Sequence, residues 1–241
     1  GENSFRHAAK IWWAHRRGSE ENSVAFDDSA SYKVHHNMAQ AEMLPLTQRG
    51  GRVADPCTMV IFGAAGDLTK RKLIPALYNL AKADLLAEEF AIIGVAHNPM
   101  SNDEFAKKIV QDIKDYAGKD VDQKICDWFA QRLSYVTADF SDKNVYGKLK
   151  DYLEKVNKDH STHENYFFYL ATAPDFFGSI VEQLAAVGLM EENNQHWRRV
   201  IVEKPFGRDL DSAKALNKQL LKVVAEKQIY RIDHYLGKET V

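Results

Sequence analysis

The sequence predicts an α/β chain built on a doubly wound parallel sheet, and three observations carry that prediction. Short apolar runs recur without polar alternation, as strands covered on both faces require. Between them lie longer stretches whose apolar residues fall at helical spacing. A glycine-rich turn joins the first such run to the first helical stretch, where doubly wound folds place a ligand.

The first strand is Met59-Val60-Ile61-Phe62, ending at Gly63. The helix after it shows Leu73, Leu77, Leu80 and Ala81 on one side. Pro75 lacks an N–H and belongs in a first turn, so regular helix should begin near Leu73. Phe90 to Val95 forms a second buried strand. Ser101-Asn102-Asp103-Glu104 is a capping box, opening a helix with apolar face Phe105, Ile109, Ile113 and Tyr116.

A helix around Val121–Phe129 precedes a strand at Leu133–Thr137. Another, through Val145, Leu149, Tyr152, Leu153 and Val156, precedes a strand at Tyr166–Leu170. Phe177, Ile180, Val181 and Leu184 mark the next helix, with Gly188 placed to end it. A strand at Val200–Val202, a helix from about Asp211 to Glu226 and a short strand at Ile229–Ile232 complete the series. Strands alternating with helices of this length imply parallel pairing, with ligands beyond the carboxyl ends of the strands.

Composition fits this class. The 241 residues are 45% hydrophobic, 27% charged and 11% aromatic, and the net charge of −2 gives no general reason to expect nucleic acid or an anionic membrane as partner. Any bound anion must meet a local cluster of positive groups. Cys57 and Cys126 lie far apart in no metal-ligand pattern; they read as buried small apolar residues of a reducing compartment, and no metal site is expected. No apolar run approaches the roughly 18 residues of a membrane span, and Ile11-Trp12-Trp13 is too short for a signal-peptide core, which points to the cytoplasm.

Residues 1–50 show neither period and are expected to form a poorly ordered extension, with Met38 a plausible native start. Residues 51–241 are expected to form one nucleotide-binding domain. The chain opens at Gly1 and closes at Val241 without a terminating feature, as expected of a fragment.

The residues that carry chemistry fall at strand ends. Gly63-Ala64-Ala65-Gly66-Asp67-Leu68 is a strand-to-helix turn; Gly63 permits the bend and Gly66 lets backbone approach a pyrophosphate facing the helix N-terminus. Lys70, Arg71 and Lys72 follow. They are either a solvated helix start or an anion site, and cations there oppose the helix dipole, which favours bound anion. The second strand runs out in Ala96-His97-Asn98, without the carboxylate that strictly NAD-dependent enzymes place on the ribose 2′-hydroxyl. His97 can donate to a 2′-phosphate or can be only an exposed loop residue.

Glu203-Lys204-Pro205-Phe206-Gly207 ends a buried strand, placing Lys204 to reach a sugar hydroxyl and a nicotinamide. Last comes Arg231-Ile232-Asp233-His234-Tyr235-Leu236-Gly237-Lys238-Glu239. It offers donors for a phosphate dianion and a carboxylate, Asp233, that can orient an imidazole acting as general base.

In order, Gly63–Leu73, Tyr166–Ala171 leading to Pro174, Glu203–Gly207 and Arg231–Glu239 resemble the glucose-6-phosphate dehydrogenase family over residues 58–241, its N-terminal Rossmann-like domain. The resemblance implies oxidation of C1 of glucose 6-phosphate to 6-phosphogluconolactone, with hydride passing to NADP+. It implies a pyrophosphate loop at Gly63, Ala64, Ala65, Gly66, Asp67 and Leu68, and a nicotinamide site lined by Tyr169 and Pro174. Lys72 and Lys204 then lie between coenzyme and sugar, with Pro205 as hinge. His234, Tyr235 and Lys238 hold the substrate phosphate, and Asp233 belongs to an Asp–His dyad.

The family's proton-abstracting histidine lies some sixty residues past that run, beyond Val241, and its C-terminal domain, which carries the sheet of a homodimer or homotetramer, is absent. His97 stands where the family often has arginine, which leaves NAD open beside NADP. A glucose–fructose oxidoreductase shares the Glu-Lys-Pro element, but has no use for a phosphate-binding run. A nucleotide-binding module without chemistry is the remaining alternative.

Overall fold

The computed structural model describes residues 53–232. The expectations for residues 1–50 and for Asp233, His234, Tyr235 and Lys238 lie outside the described residues. The elements are β1 (Cys57–Phe62), a π-helical turn (Thr69–Leu73) running into α1 (Ile74–Lys82), β2 (Phe90–Ala96), α2 (Asn102–Tyr116), α3 (Gln123–Ala130), β3 (Leu133–Thr137) and α4 (Asn144–His160). Then come β4 (Tyr166–Leu170), a 3-10 turn (Pro174–Phe176), α5 (Phe177–Ala186), β5 (Arg198–Val202), α6 (Leu210–Leu220), a second 3-10 turn (Glu226–Gln228) and β6 (Ile229–Arg231).

All six strands pair in parallel in the order β3-β2-β1-β4-β5-β6. The chain winds outward from β1 in both directions, so the topological switch point lies between β1 and β4, where doubly wound folds open a binding crevice. Alternate residues of each strand feed two cores. Val60, Phe62, Ile93, Phe168 and Val200 face α4 and α5, packing against Tyr146, Leu149, Phe177 and Ile180. Met59, Ile61, Ile92, Tyr169 and Ile201 face α1, α2 and α3, packing against Ile74, Leu77, Phe105, Ile109 and Phe129. Covering on both faces explains why β1, β2 and β5 are buried at every position and carry no polar alternation.

Local signals act as their chemistry requires. Ser101 and Glu104 close a reciprocal capping box: Ser101 Oγ accepts from Glu104 N–H at 3.2 Å and Glu104 Oε2 accepts from Ser101 N–H at 2.8 Å. Gly188, at φ +78°, ends the α5 segment. Pro75 sits in the first turn of α1, and the regular α-helix begins at Ile74, one residue from the expected Leu73. Both cysteines are buried, and burial, with Asp55 nearby, pushes the Cys57 thiol up to about 12. No helix among the described residues is long and apolar enough to cross a membrane.

The expected helix from Asp211 to Glu226 is a correction: α6 stops at Leu220. Val224 turns into the core, while the Gln228 side chain accepts from Ala225 N–H and donates to Met190 O, both at 2.9 Å. Those contacts hold the chain in a second short turn that a continuing helix would break. The helix expected around Val121–Phe129 begins at Gln123, because Asp122 is its N-cap and its backbone N–H donates to the Tyr78 hydroxyl. The last strand, expected over Ile229–Ile232, ends at Arg231.

Candidate active site

The switch point is built around Gly63. Its N–H and that of Ala64 both donate to Val95 O, at 2.8 and 3.3 Å, tying the turn to β2. Gly63 adopts φ +86°, and a Cβ there would lie 2.2 Å from Ala171 O. Only glycine lets the ends of β1 and β4 approach so closely. Its carbonyl accepts from Gly66 N–H at 2.9 Å and from the Thr69 hydroxyl at 3.2 Å, which fixes the curl of the loop.

Ala64 is buried, Gly63 and Ala65 half-buried, and Gly66, Asp67 and Leu68 exposed. The turn therefore presents its second half to solvent, where the first N–H groups of a helix have no intrahelical partner. A Cβ on Gly66 would come within 3.2 Å of Gly63 O, narrowing a cradle that bare backbone leaves open. Gly94 supports the loop from below, since a Cβ there would meet Phe105 Cζ at 2.4 Å and Ala64 Cβ at 2.9 Å.

The three cations after the loop divide. Lys70 Nζ and Arg71 Cζ stand over the Tyr116 ring, 5.4 and 5.5 Å from its centroid, and Arg71 also pairs with Asp67 at 3.6 Å. Lys72 is exposed and makes no hydrogen bond or ion pair among the described residues. Two of the cations thus serve Tyr116, which the helical period assigns to an apolar face.

Tyr169, on β4, is 5% exposed, and its hydroxyl donates to Glu203 Oε1 at the end of β5. Burial, then the charge and the hydrogen bond of Glu203, push the phenol far above its usual value, so it stays a proton donor. Lys204, next in the chain, is exposed, and the Lys204–Pro205 peptide is cis. Pro174, half-buried, opens the turn after β4. His97 is exposed directly after β2, in a segment held where the Tyr135 hydroxyl donates to Asn98 O at 2.7 Å.

His97, the Gly63–Leu68 loop, Pro174 and the Glu203–Lys204 pair thus occupy the carboxyl edge of four neighbouring strands, β2-β1-β4-β5. Two contributors went unassigned in the sequence. Thr69 locks the loop carbonyl, and Glu203 anchors Tyr169. The second is visible only with strand register, because Tyr169 pairs with Ile201 and Glu203 lies two residues on along the same face.

This topology, with a glycine loop at the switch point and polar groups along one edge, defines the doubly wound class that binds dinucleotides. The glucose-6-phosphate dehydrogenase, NAD binding domain profile matches residues 60–241. The chain belongs to the glucose-6-phosphate dehydrogenase family. It is 45% identical over 193 residues to the glucose-6-phosphate 1-dehydrogenase of Chlamydia pneumoniae, covering 79% of this chain and 38% of that protein. The enzyme of the same name from Aggregatibacter actinomycetemcomitans is 46% identical over 189 residues, covering 78% of this chain and 37% of its relative.

Among solved structures, a glucose-6-phosphate dehydrogenase in complex with its substrate glucose-6-phosphate superposes with TM-score 0.68 at 34% identity, over 78% of this chain and 38% of that one. The Mycobacterium avium glucose-6-phosphate 1-dehydrogenase gives 0.63 at 38% identity, over 76% and 37%. The chain spans under two fifths of the length of the relatives it matches.

Proposed function

We propose that this chain binds NADP+ across the β1/β4 crevice and forms the coenzyme half of an enzyme that oxidises C1 of glucose 6-phosphate to 6-phosphogluconolactone. The observation that carries this is the Gly63–Leu68 turn, where a side chain at Gly63 would strike Ala171 O at the end of β4 and one at Gly66 would crowd the loop carbonyl of Gly63. A pyrophosphate fits that chemistry: helix N–H groups face it, and Lys72 adds a cation without a competing partner among the described residues. When bound, the coenzyme supplies the acceptor for the hydride leaving C1.

The chain's own residues bind and orient. Tyr169, fixed by Glu203, and Pro174 wall the nicotinamide side, and Lys204 reaches between nicotinamide and sugar. In the same reading His234, Tyr235 and Lys238 hold the substrate phosphate, and Asp233 orients the imidazole that takes the C1 hydroxyl proton.

Titration calorimetry tests this. The chain should bind NADP+, and His97→Arg should tighten NADP+ about tenfold with little effect on NAD+, because an arginine fork is a stronger phosphate contact than an imidazole. No binding of either coenzyme would refute the reading. Equal changes for both would show that His97 does not face the 2′-position.

A further inference from the structure

Arg231, the last residue of β6, touches three other segments at once. Its guanidinium carbon stands 4.9 Å from the centroid of the Phe206 ring. Its Nη1 and Nη2 donate to Glu226, at 2.6 and 3.2 Å, and Nη2 donates as well to Asn217 Oδ1 on α6. Phe206 belongs to the turn that carries Lys204, and it is half-buried. Just beyond it, Gly207 presses on α6, since a Cβ there would lie 2.5 Å from Ala213 N. On the other side Glu203 is held by Tyr169.

We infer that Arg231 is a positioning residue, whose guanidinium over the Phe206 ring sets the Lys204–Phe206 turn against α6 and so fixes where Lys204 meets the nicotinamide end of the coenzyme. The inference rests on the dinucleotide reading above. An ion pair with Glu226 alone does not explain the arrangement: Glu226 is exposed, and such pairs contribute little. A lysine would serve that pair equally well. Its single ammonium could not hold a planar cation over Phe206 while forking to Asn217 and Glu226.

The two halves of the coenzyme separate this role from a general loss of structure. Adenosine 2′,5′-bisphosphate carries the adenosine half and lacks nicotinamide. Titration of the chain with this ligand and with NADP+ should show Arg231→Lys weakening NADP+ about 3- to 10-fold, with bisphosphate affinity unchanged within about twofold. Phe206→Leu should give the same selective loss, and the double variant no more than the worse single one. Should Arg231→Lys fail to fold, Phe206→Leu carries the comparison alone. Equal weakening of both ligands, weakening of neither, or additive losses would overturn the inference and leave the dinucleotide reading standing. A wild-type chain that binds neither ligand would overturn that reading, and this inference with it.

Discussion

Replacing Gly63 by alanine is expected to destabilise the domain by about 2–5 kcal/mol and to abolish measurable NADP+ binding. Two effects add. An alanine at φ +86° carries the left-handed strain of an L-residue, about 1–2 kcal/mol. Its Cβ would also stand 2.2 Å from Ala171 O, which is backbone and cannot swing aside. Relief requires the ends of β1 and β4 to part, with the further cost of about 1–3 kcal/mol typical of overpacking.

Gly118 supplies the control. It sits at φ +119°, and a methyl group added there would meet nothing within 4 Å, so Gly118→Ala should show the conformational cost alone. Urea unfolding of both variants separates the two contributions. Similar losses at both sites would mean that the approach of Gly63 to β4 has no energetic weight.

Why some of this was readable in the sequence and some was not follows from what each signal measures. A strand buried on both faces must be apolar throughout, so Met59–Phe62 and Phe90–Val95 announced themselves. Gly63 was readable as a turn because it interrupts such a run before a helix. Periodicity identifies strands but not their neighbours, so β4 beside β1, and hence Ala171 beneath Gly63, needed the structure. The end of α6 is hidden because Val223 and Val224 prolong its apolar content past Leu220, while the Gln228–Met190 contact that helps stop it is long-range.

At the site, the run Lys70-Arg71-Lys72 reads as three equivalent cations. Tyr116 takes two of them from a helix whose period marks that tyrosine as core. Tyr169 lies in the family pattern, but its anchor Glu203 depends on register across two strands. Each of these pairings is a tertiary contact between segments whose local structure the sequence specifies on its own.

The opposite edge of the sheet provides the second large effect. Glu192, with its side chain only 15% exposed, pairs with Arg199 at 2.5 Å and with Lys227. Arg199 is itself buried near the start of β5, so removing the carboxylate charge takes from a buried guanidinium the anion it pairs with at 2.5 Å. Glu192→Gln keeps the volume and part of the hydrogen bonding, and should cost about 2–4 kcal/mol. For a domain of this size that is roughly 5–15 °C in Tm.

The loss should depend on pH with a defined sign. Burial works to raise the Glu192 pKa, but the hydrogen bonds from Lys227 and Arg199 and the arginine's charge outweigh it and hold the carboxyl below the usual range. A group whose folded pKa is depressed stabilises above its unfolded value, near about 4.3, and that stabilisation is lost as pH falls through the folded pKa. The gap between wild type and Glu192→Gln should therefore be full at neutral pH and close on acidification. NADP+ affinity measured well below Tm should stay within about twofold of wild type, because Glu192 and Arg199 lie at the end of β5 opposite to Glu203 and Lys204. A gap that persists at acid pH would assign the loss to packing rather than charge, and a fall in coenzyme affinity would show that the two edges of the sheet are coupled.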